Sequence, residues 1–378
     1  MAITISGIEN HGAYFSDFGN ITLHGVPQEK IRIDFVIRQA NETLFSFSEN
    51  YYPDTDNKVV IRSLGDVAAV YFKNLNIPSP YLAKGSFGAY HILISATIHL
   101  ADDSVAGSFE QKFYYSDSRT NIPSPSVYDR FCSRFSEVKV TPEQWALVSF
   151  LYVAQTLEVS VTYKLENTAA VRKINIPVTA ATDEFFWLSV GPEAILSLLN
   201  EDTGGTYEIE DLLSYDVILS VDVNVVDSIH YDIDRNYYPQ ITYVLYYNSF
   251  GLPETVYLTG KSSRTSEMEG AFANIDKKYV KYHTKLTTYS DVNSGFINDT
   301  MVNALEDLVK SRLVYLVNEE GVGDMITVVE INFNTDKPVS TPNNVSIKYR
   351  VSADNMQSFK RDNYESGIFN EVFNETFN

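Results

Sequence analysis

Six segments of this chain carry the side-chain pattern of β-strands, and that pattern constrains the fold more than any other feature. In each segment apolar and polar residues alternate, or β-branched residues run together, as in strands that pack one or both faces. The segments are Lys30 to Ile37, His91 to Leu100, Leu157 to Leu165, Val217 to Val226, Ile241 to Tyr247 and Met325 to Asn334. Turn-forming residues separate them, so we predict a mainly β fold of serial β-sandwich-like domains.

The length of 378 residues exceeds what one hydrophobic core usually supports, so we expect several domains. Turn residues cluster between strand groups at Ser116 to Pro125 and again at Asp232 to Pro239. Boundaries placed there give β-sandwich-like domains over residues 1–118 and 119–235 and a C-terminal β domain over residues 236–360. Residues 361–378 form a C-terminal tail.

Helical patterns are few, and the best of them makes the C-terminal domain α+β with a single clear helix. The segment 298–313 begins with N-cap residues and carries an apolar stripe at helical spacing. The stripe consists of Met301, Leu305, Leu308 and Leu313. Shorter helices are predicted from Leu64 to Phe72 and from Pro192 to Leu199, whereas Trp145 to Val153 is predicted to be a strand.

The chain is acidic, with 29 basic and 49 acidic side chains and a formal charge of −20. Such a charge repels nucleic-acid phosphates and anionic lipid, so we expect neither nucleic acid nor a membrane as a partner. The N-terminus lacks the pattern of a secretory signal, and no apolar run reaches the roughly 18 residues of a membrane helix. We therefore expect a soluble protein that is made in the cytoplasm.

Aromatic residues are unusually frequent, with 26 tyrosines and 22 phenylalanines but only 2 tryptophans. Their rigid rings suit half-buried sheet surfaces and protein contacts. We expect Trp145 and Trp187 to be at least partly buried in the second domain.

The sequence lacks the common catalytic motifs: a Gly-rich phosphate loop, a His-Glu-x-x-His helix and a Gly-x-Ser-x-Gly turn. Cys132 is the single cysteine, which excludes an intrachain disulfide and predicts a small buried side chain. His91 and His99 share one predicted strand but lie roughly 25 Å apart, too far for one metal ion. We therefore expect no catalytic residue, no metal and no cofactor.

Two groups of acidic residues are the remaining candidates for chemistry. Asp54, Asp56 and Asn57 resemble part of a calcium loop, but the glycine and the distant glutamate of that loop are missing. The second group, Asp222, Asp227, Asp232 and Asp234, lies at the end of the second domain, where it could bind a cation or act as a catalytic pair. Acidic surface in a highly charged protein is the favoured interpretation of both.

The C-terminal tail carries an apolar stripe whose exposure to water would be unfavourable, so we expect another surface to cover it. Its members recur at helical spacing and include Ile368, Phe369, Val372, Phe373 and Phe377. We predict that Phe369, Phe373 and Phe377 dock onto a neighbouring subunit. A frayed terminus is the alternative.

The last third of the chain has a characteristic order of parts. The strand at 241–247 is followed by Asn248-Ser249-Phe250-Gly251, a strand at 255–262, a polar segment, the helix, the strand at 313–317 and a closing strand at 344–351. This order resembles structural virion proteins of tailed phages and prophages of Bacteroidota hosts, from the tail region. The chain departs from that pattern by having Tyr246-Tyr247-Asn248 where Trp-Leu-Asn is frequent.

The resemblance implies a non-enzymatic component of the virion, in the tail, baseplate or neck. It implies partners among other virion subunits and copies of the same chain. It also implies that the helix lies just before an edge strand.

Two other functions are weighed against this one. A carbohydrate-binding or adhesin-type β-sandwich protein at the host surface could stack sugars on the pairs Tyr51-Tyr52, Tyr114-Tyr115 and Tyr237-Tyr238. Neighbouring rings on a strand point to opposite faces, however, so one ring of each pair is expected in the core. A glycosidase using Asp222, Asp227 or Glu254 is the third possibility, and the least favoured.

Overall fold

The computed structural model describes residues 3–9, 12–40, 42–73, 76–79, 83–88, 90–116, 130–152, 157–166, 172–176, 184–221, 224–275, 278–318, 321–334 and 343–352. Of these residues 58% lie in strands and 11% in helices. They form five sheets and three α-helices. The fold is therefore mainly β, with serial β-sandwich domains, as the alternating segments predict.

The first unit is a sandwich of a three-stranded and a five-stranded sheet. Its elements are β1 (Thr4–Ser6), β2 (Ala13–Tyr14), β3 (Ile21–His24), β4 (Ile31–Gln39), β5 (Glu42–Tyr51), β6 (Lys58–Ile61), α1 (Leu64–Ala69), β7 (Lys84–Ser86), β8 (Ile92–His99) and β9 (Val105–Tyr114). The sheet orders are β1-β3-β6 and β2-β9-β8-β4-β5. Alternate residues of β4 and β8 are buried and pack against Ile21 and Leu23 of the facing sheet.

The second unit also has two sheets, and one of them takes a strand from the first part of the chain. Its elements are β10 (Glu137–Val140), β11 (Leu147–Tyr152), β12 (Leu157–Leu165), β13 (Arg172–Ile176), β14 (Glu184–Ser189), α2 (Pro192–Thr203), the 3-10 helix Ile209–Asp211, β15 (Leu212–Val221) and β16 (Asn224–Ile233). The sheet orders are β10-β16-β15-β12-β13 and β11-β14-β7. Both tryptophans are at least partly buried, as predicted.

The single strand predicted from Val217 to Val226 is wrong. The chain reverses there, because β15 ends at Val221 and pairs antiparallel with β16, which begins at Asn224. Apolar residues alternate on both sides of the reversal, so the period-two pattern continues through it.

The third unit is a seven-stranded sheet covered by one helix. Its elements are β17 (Thr242–Tyr247), β18 (Pro253–Leu258), β19 (Ser262–Ile275), β20 (Lys278–Asn293), α3 (Asp299–Lys310), β21 (Val314–Asn318), β22 (Gly321–Asn334) and β23 (Asn344–Val351). The sheet order is β18-β17-β21-β22-β23-β20-β19. The predicted helix is confirmed, although it ends at Lys310 and Leu313 lies beyond it.

The expectation of an edge strand after the helix is wrong. The strand that follows α3 is β21, and it lies between β17 and β22 inside the sheet. It pairs on both sides because β17 and β22 each offer an antiparallel partner of matching register.

Buried contacts cross both predicted domain boundaries. One apolar cluster runs from Val161 and Val217 of the second unit to Val244 and Leu305 of the third. Another joins all three units, and its members include Tyr14, Tyr114, Cys132, Phe185 and Phe250. The boundaries at residues 118 and 235 remain predictions. The first predicted linker lies mostly outside the described residues.

Candidate functional site

A long hairpin projects from the third unit, and we call it the arm (residues 262–293). Strand β19 pairs with β20 along its whole length, whereas β20 pairs with β23 only from Ser290 to Asn293. From the paired residues Arg264 and Ser290 toward its turn, the arm is therefore a two-stranded ribbon in the described structure. At about 3.4 Å per residue, the 14 residues of β19 extend over about 45 Å.

One face of the arm presents large apolar side chains to solvent. Met268 is 59% exposed and Leu286, its direct partner across the hairpin, is 51% exposed. Phe272 is 57% exposed and Tyr279 is 82% exposed. Lys281 shares this face, because its Nζ atom lies 2.8 Å from Met268 Sδ. Exposed apolar rows of this kind mark interaction surfaces.

The opposite face of the arm is fixed to the sheet near its base. Lys348 of β23 lies over the Tyr289 ring, with Nζ 4.5 Å from the ring centroid. The same Nζ lies 3.4 Å from Glu267 Oε1. These contacts set the direction in which the ribbon leaves the sheet and leave the apolar face uncovered.

The sequence around the turn of the arm is basic, although the chain as a whole is acidic. Between positions 270 and 285 the sequence has four lysines and one aspartate, against a formal charge of −20 for the whole chain. Basic segments of this kind are attracted to acidic surface.

Sequence reasoning missed the arm, which it treated as a polar segment between two elements. Strand patterns come from burying one face, and most side chains described in β19 are exposed. The signals that were present are β-branched and aromatic residues at Thr287, Thr288 and Tyr289.

Among the predicted acidic residues, Glu254 is buried in a closed hydrogen-bond cluster. Ser133 Oγ donates to Glu254 Oε1, and the Tyr246 hydroxyl donates to Oε2 at 2.9 Å. Burial raises the pKa of Glu254 to about 7, although these hydrogen bonds oppose the rise. Asp227 accepts a hydrogen bond from the backbone N–H of Phe131 at 2.7 Å. Both carboxyl groups therefore accept hydrogen bonds from other residues of the same chain.

Asp232 and Asp234 lie near the end of β16 and have separate partners. The two nitrogens of His230 lie 2.7 Å from Asp216 Oδ1 and 3.2 Å from Asp232 Oδ1. Partial burial lowers the pKa of His230, but the two carboxylates raise it further, so it ends above its ordinary value. Asp234 accepts hydrogen bonds from the hydroxyls of Tyr238 at 2.8 Å and Tyr257 at 2.9 Å. Asp222 lies outside the described residues.

The partial calcium loop is a turn. Asp54 Oδ1 accepts hydrogen bonds from the backbone N–H groups of Asp56 and Lys58, both at 2.9 Å. In the described part of the chain, no group of three or more His, Cys, Asp or Glu side chains is arranged to hold a metal ion.

The remaining candidates are placed as follows. His99 lies at the end of β8 beside Asp34, and His91 precedes the start of the same strand. Cys132 is buried as predicted, and burial raises the pKa of its thiol to about 12. Phe369, Phe373 and Phe377 lie outside the described residues. No helix among the described ranges is long and apolar enough to span a bilayer.

Comparison with known proteins identifies no family. No family model matches the chain, and no curated protein matches it. Among solved structures, it is similar to the N-terminal four Ig domains of Dscam1 isoform 1.9, with 9% identity, 75% of this chain covered and a TM-score of 0.16. It is also similar to the extracellular region of Plexin A4, with 6% identity, 93% of this chain covered and a TM-score of 0.17. The chain spans 66% of the Dscam1 structure and 36% of the plexin structure.

Proposed function

We propose that this chain is a non-enzymatic structural component of a tailed-phage virion, in the tail, baseplate or neck region. It is made in the host cytoplasm and built into the particle through contacts with copies of itself and with other virion subunits. The observation that carries the proposal is the arm, whose apolar face and outer strand edge have no partner among the described residues.

An isolated two-stranded ribbon is marginally stable in water, and an open strand edge invites pairing with another chain. Packing of the ribbon on a neighbour stabilises the ribbon and gives its open strand edge a partner. A subunit that assembles in this way buries Met268, Phe272 and Leu286 and pairs the free edge of β19. The basic tip of the arm directs this contact toward the acidic surface of the neighbour.

Purified phage particles test the proposal by mass spectrometry. The chain is expected among the virion proteins, at a copy number above one for each particle. Its presence in the infected cell and its absence from purified particles would overturn the proposal.

Glycan binding at the host surface is the second candidate function. Two of the tyrosine pairs do not form joint platforms: Tyr114 is buried, and Tyr238 lines a cleft that the 90% exposed Tyr237 does not line. A different observation favours it, namely a cleft where Trp145, Tyr238 and Tyr243 meet.

A further inference from the structure

A cleft of about 560 Å³ lies where the second and third units meet. The turn before β11, the start of α2 and the segment that leads into β17 form its walls. Three aromatic rings line it, those of Trp145, Tyr238 and Tyr243. The carboxylates of Glu143 and Glu193 and the amide of Gln240 line it as well.

The aromatic walls are held in place by hydrogen bonds to the protein. The Tyr238 hydroxyl donates to Asp234 Oδ2 at 2.8 Å, and the Tyr243 hydroxyl lies 2.8 Å from Thr141 Oγ1. Thr255 Oγ1 donates to the carbonyl oxygen of Trp145 at 2.6 Å and fixes the backbone that carries the indole. The rings are therefore oriented before any ligand arrives, which lowers the entropic cost of binding.

We infer that this cleft binds an uncharged sugar, an inference that rests on the second of the proposed functions. Flat rings stack on the C–H faces of a sugar, and carboxylates and amides bond its hydroxyls. A cleft of this volume falls in the size range of small-ligand sites.

The charges of the lining disfavour anionic ligands. The cleft has two carboxylates and no lysine, arginine or histidine among its described lining residues, so it repels sugar acids and phosphates. A tetraalkylammonium cation satisfies the carboxylates but offers no acceptor to Gln240. A sugar hydroxyl is both donor and acceptor and serves both kinds of group.

A glycan array carrying neutral, sialylated and sulfated sugars tests the class of ligand on the full-length protein. Neutral glycans are expected to bind, with little signal on the acidic ones. The dissociation constant of the best neutral glycan is then measured by calorimetry for variants of the cleft. Because Glu193 and Gln240 are exposed, Glu193→Gln and Gln240→Ala are expected to leave folding unchanged and to weaken binding by about tenfold each.

The matched control is Tyr237→Ala, which removes an exposed ring next to Tyr238 that does not line the cleft. It is expected to bind like the unaltered protein. If the cleft variants bind as tightly as the unaltered chain, glycan binding stands but this cleft is not its site. If no neutral glycan binds the unaltered chain, both the site and the second function are wrong. Preferential binding of acidic glycans, or displacement by an organic cation such as tetramethylammonium, would overturn the assignment to uncharged sugars.

Discussion

Tyr246 and Glu254 face each other across β17 and β18, and the Tyr246 hydroxyl donates a 2.9 Å hydrogen bond to Glu254 Oε2 inside the core. Ser133, from the second unit, donates to the other oxygen of the same carboxyl. The cluster therefore links the second and third units through one buried ionisable group.

Replacing Glu254 with glutamine is expected to change how stability depends on pH. Burial raises the pKa of Glu254 to about 7, so the folded chain holds a proton that the unfolded chain loses near pH 4–5. The stabilisation is therefore present at low pH and is lost as pH rises through about 7. The unfolding free energy of the unaltered protein, relative to Glu254→Gln, is expected to fall by roughly 2–3 kcal/mol between pH 5 and pH 8.

Urea unfolding at both pH values measures this difference. Glu306→Gln, on the exposed face of α3, is the control and is expected to show no such trend. A difference between the unaltered protein and Glu254→Gln that stays constant with pH would contradict the assignment.

The apolar stripe of α3 is expected to be core. Leu305 and Leu308 are both buried against the sheet, so Leu305→Ala or Leu308→Ala is expected to cost about 2–5 kcal/mol. Glu306→Ala on the exposed side of the same helix is expected to change stability by less than about 0.5 kcal/mol. Thermal melting gives the comparison, and equal melting temperatures for all three variants would show that the stripe contributes nothing to the core.

A side chain at position 251 is expected to destabilise the fold. The φ of Gly251 is +69°, and a Cβ atom there would lie 2.7 Å from the Tyr115 ring and 3.0 Å from the Tyr90 hydroxyl. Gly251→Ala is therefore expected to cost about 1–3 kcal/mol.

Two other glycines allow the cost of the positive φ to be separated from the cost of the close contacts. Gly88 has φ +71° but open space around it, and Gly19 has open space with no positive φ. Gly88→Ala isolates the backbone strain, whereas Gly19→Ala is expected to be neutral or slightly stabilising. If all three changes cost the same in urea unfolding, the packing of Tyr115 and Tyr90 on Gly251 is irrelevant to stability.

The elements that sequence predicts well are those whose pattern reflects burial. Strand β4 is buried at every second residue from Ile31 to Ile37, and α3 buries Met301, Leu305 and Leu308, so both patterns are visible in the residue order. The arm is missed because most of its described side chains lie outside the core of its own chain, so that core imposes no alternation on them. The reversal after Val221 is missed because both strands around it alternate.

The pairing of strands that are distant in the sequence is the other feature that could not be predicted. Nothing local to Lys84–Ser86 indicates that this short strand joins β14 of the second unit. Gly85 is required there because a Cβ atom would lie 2.8 Å from the Trp187 ring, a contact about 100 residues away in sequence. The cleft is assembled in the same way: Trp145, Glu193 and Tyr243 come from three separate segments.

The C-terminal tail remains a prediction about assembly. Truncation after Arg361 is expected to leave the melting temperature of the monomer unchanged while assembly or partner binding fails, because Phe369, Phe373 and Phe377 are predicted to pack on a neighbour. Calorimetry measures the melting temperature of the truncated chain. A large drop in that temperature would place the tail in the core of its own chain.

Sedimentation velocity tests most directly whether the arm joins subunits. The unaltered protein is expected to form oligomers whose fraction grows with concentration and falls at high salt, because salt would screen the proposed attraction between the basic tip and acidic surface. The triple variant Met268→Ser, Phe272→Ser, Leu286→Ser is expected to remain a monomer with an unchanged melting temperature. The double variant Thr265→Ser, Thr287→Ser, on the opposite face, is expected to assemble normally. Unaltered protein that stays monomeric at every concentration, or a triple variant that assembles as well as the unaltered chain, would contradict the claim that the arm builds the assembly.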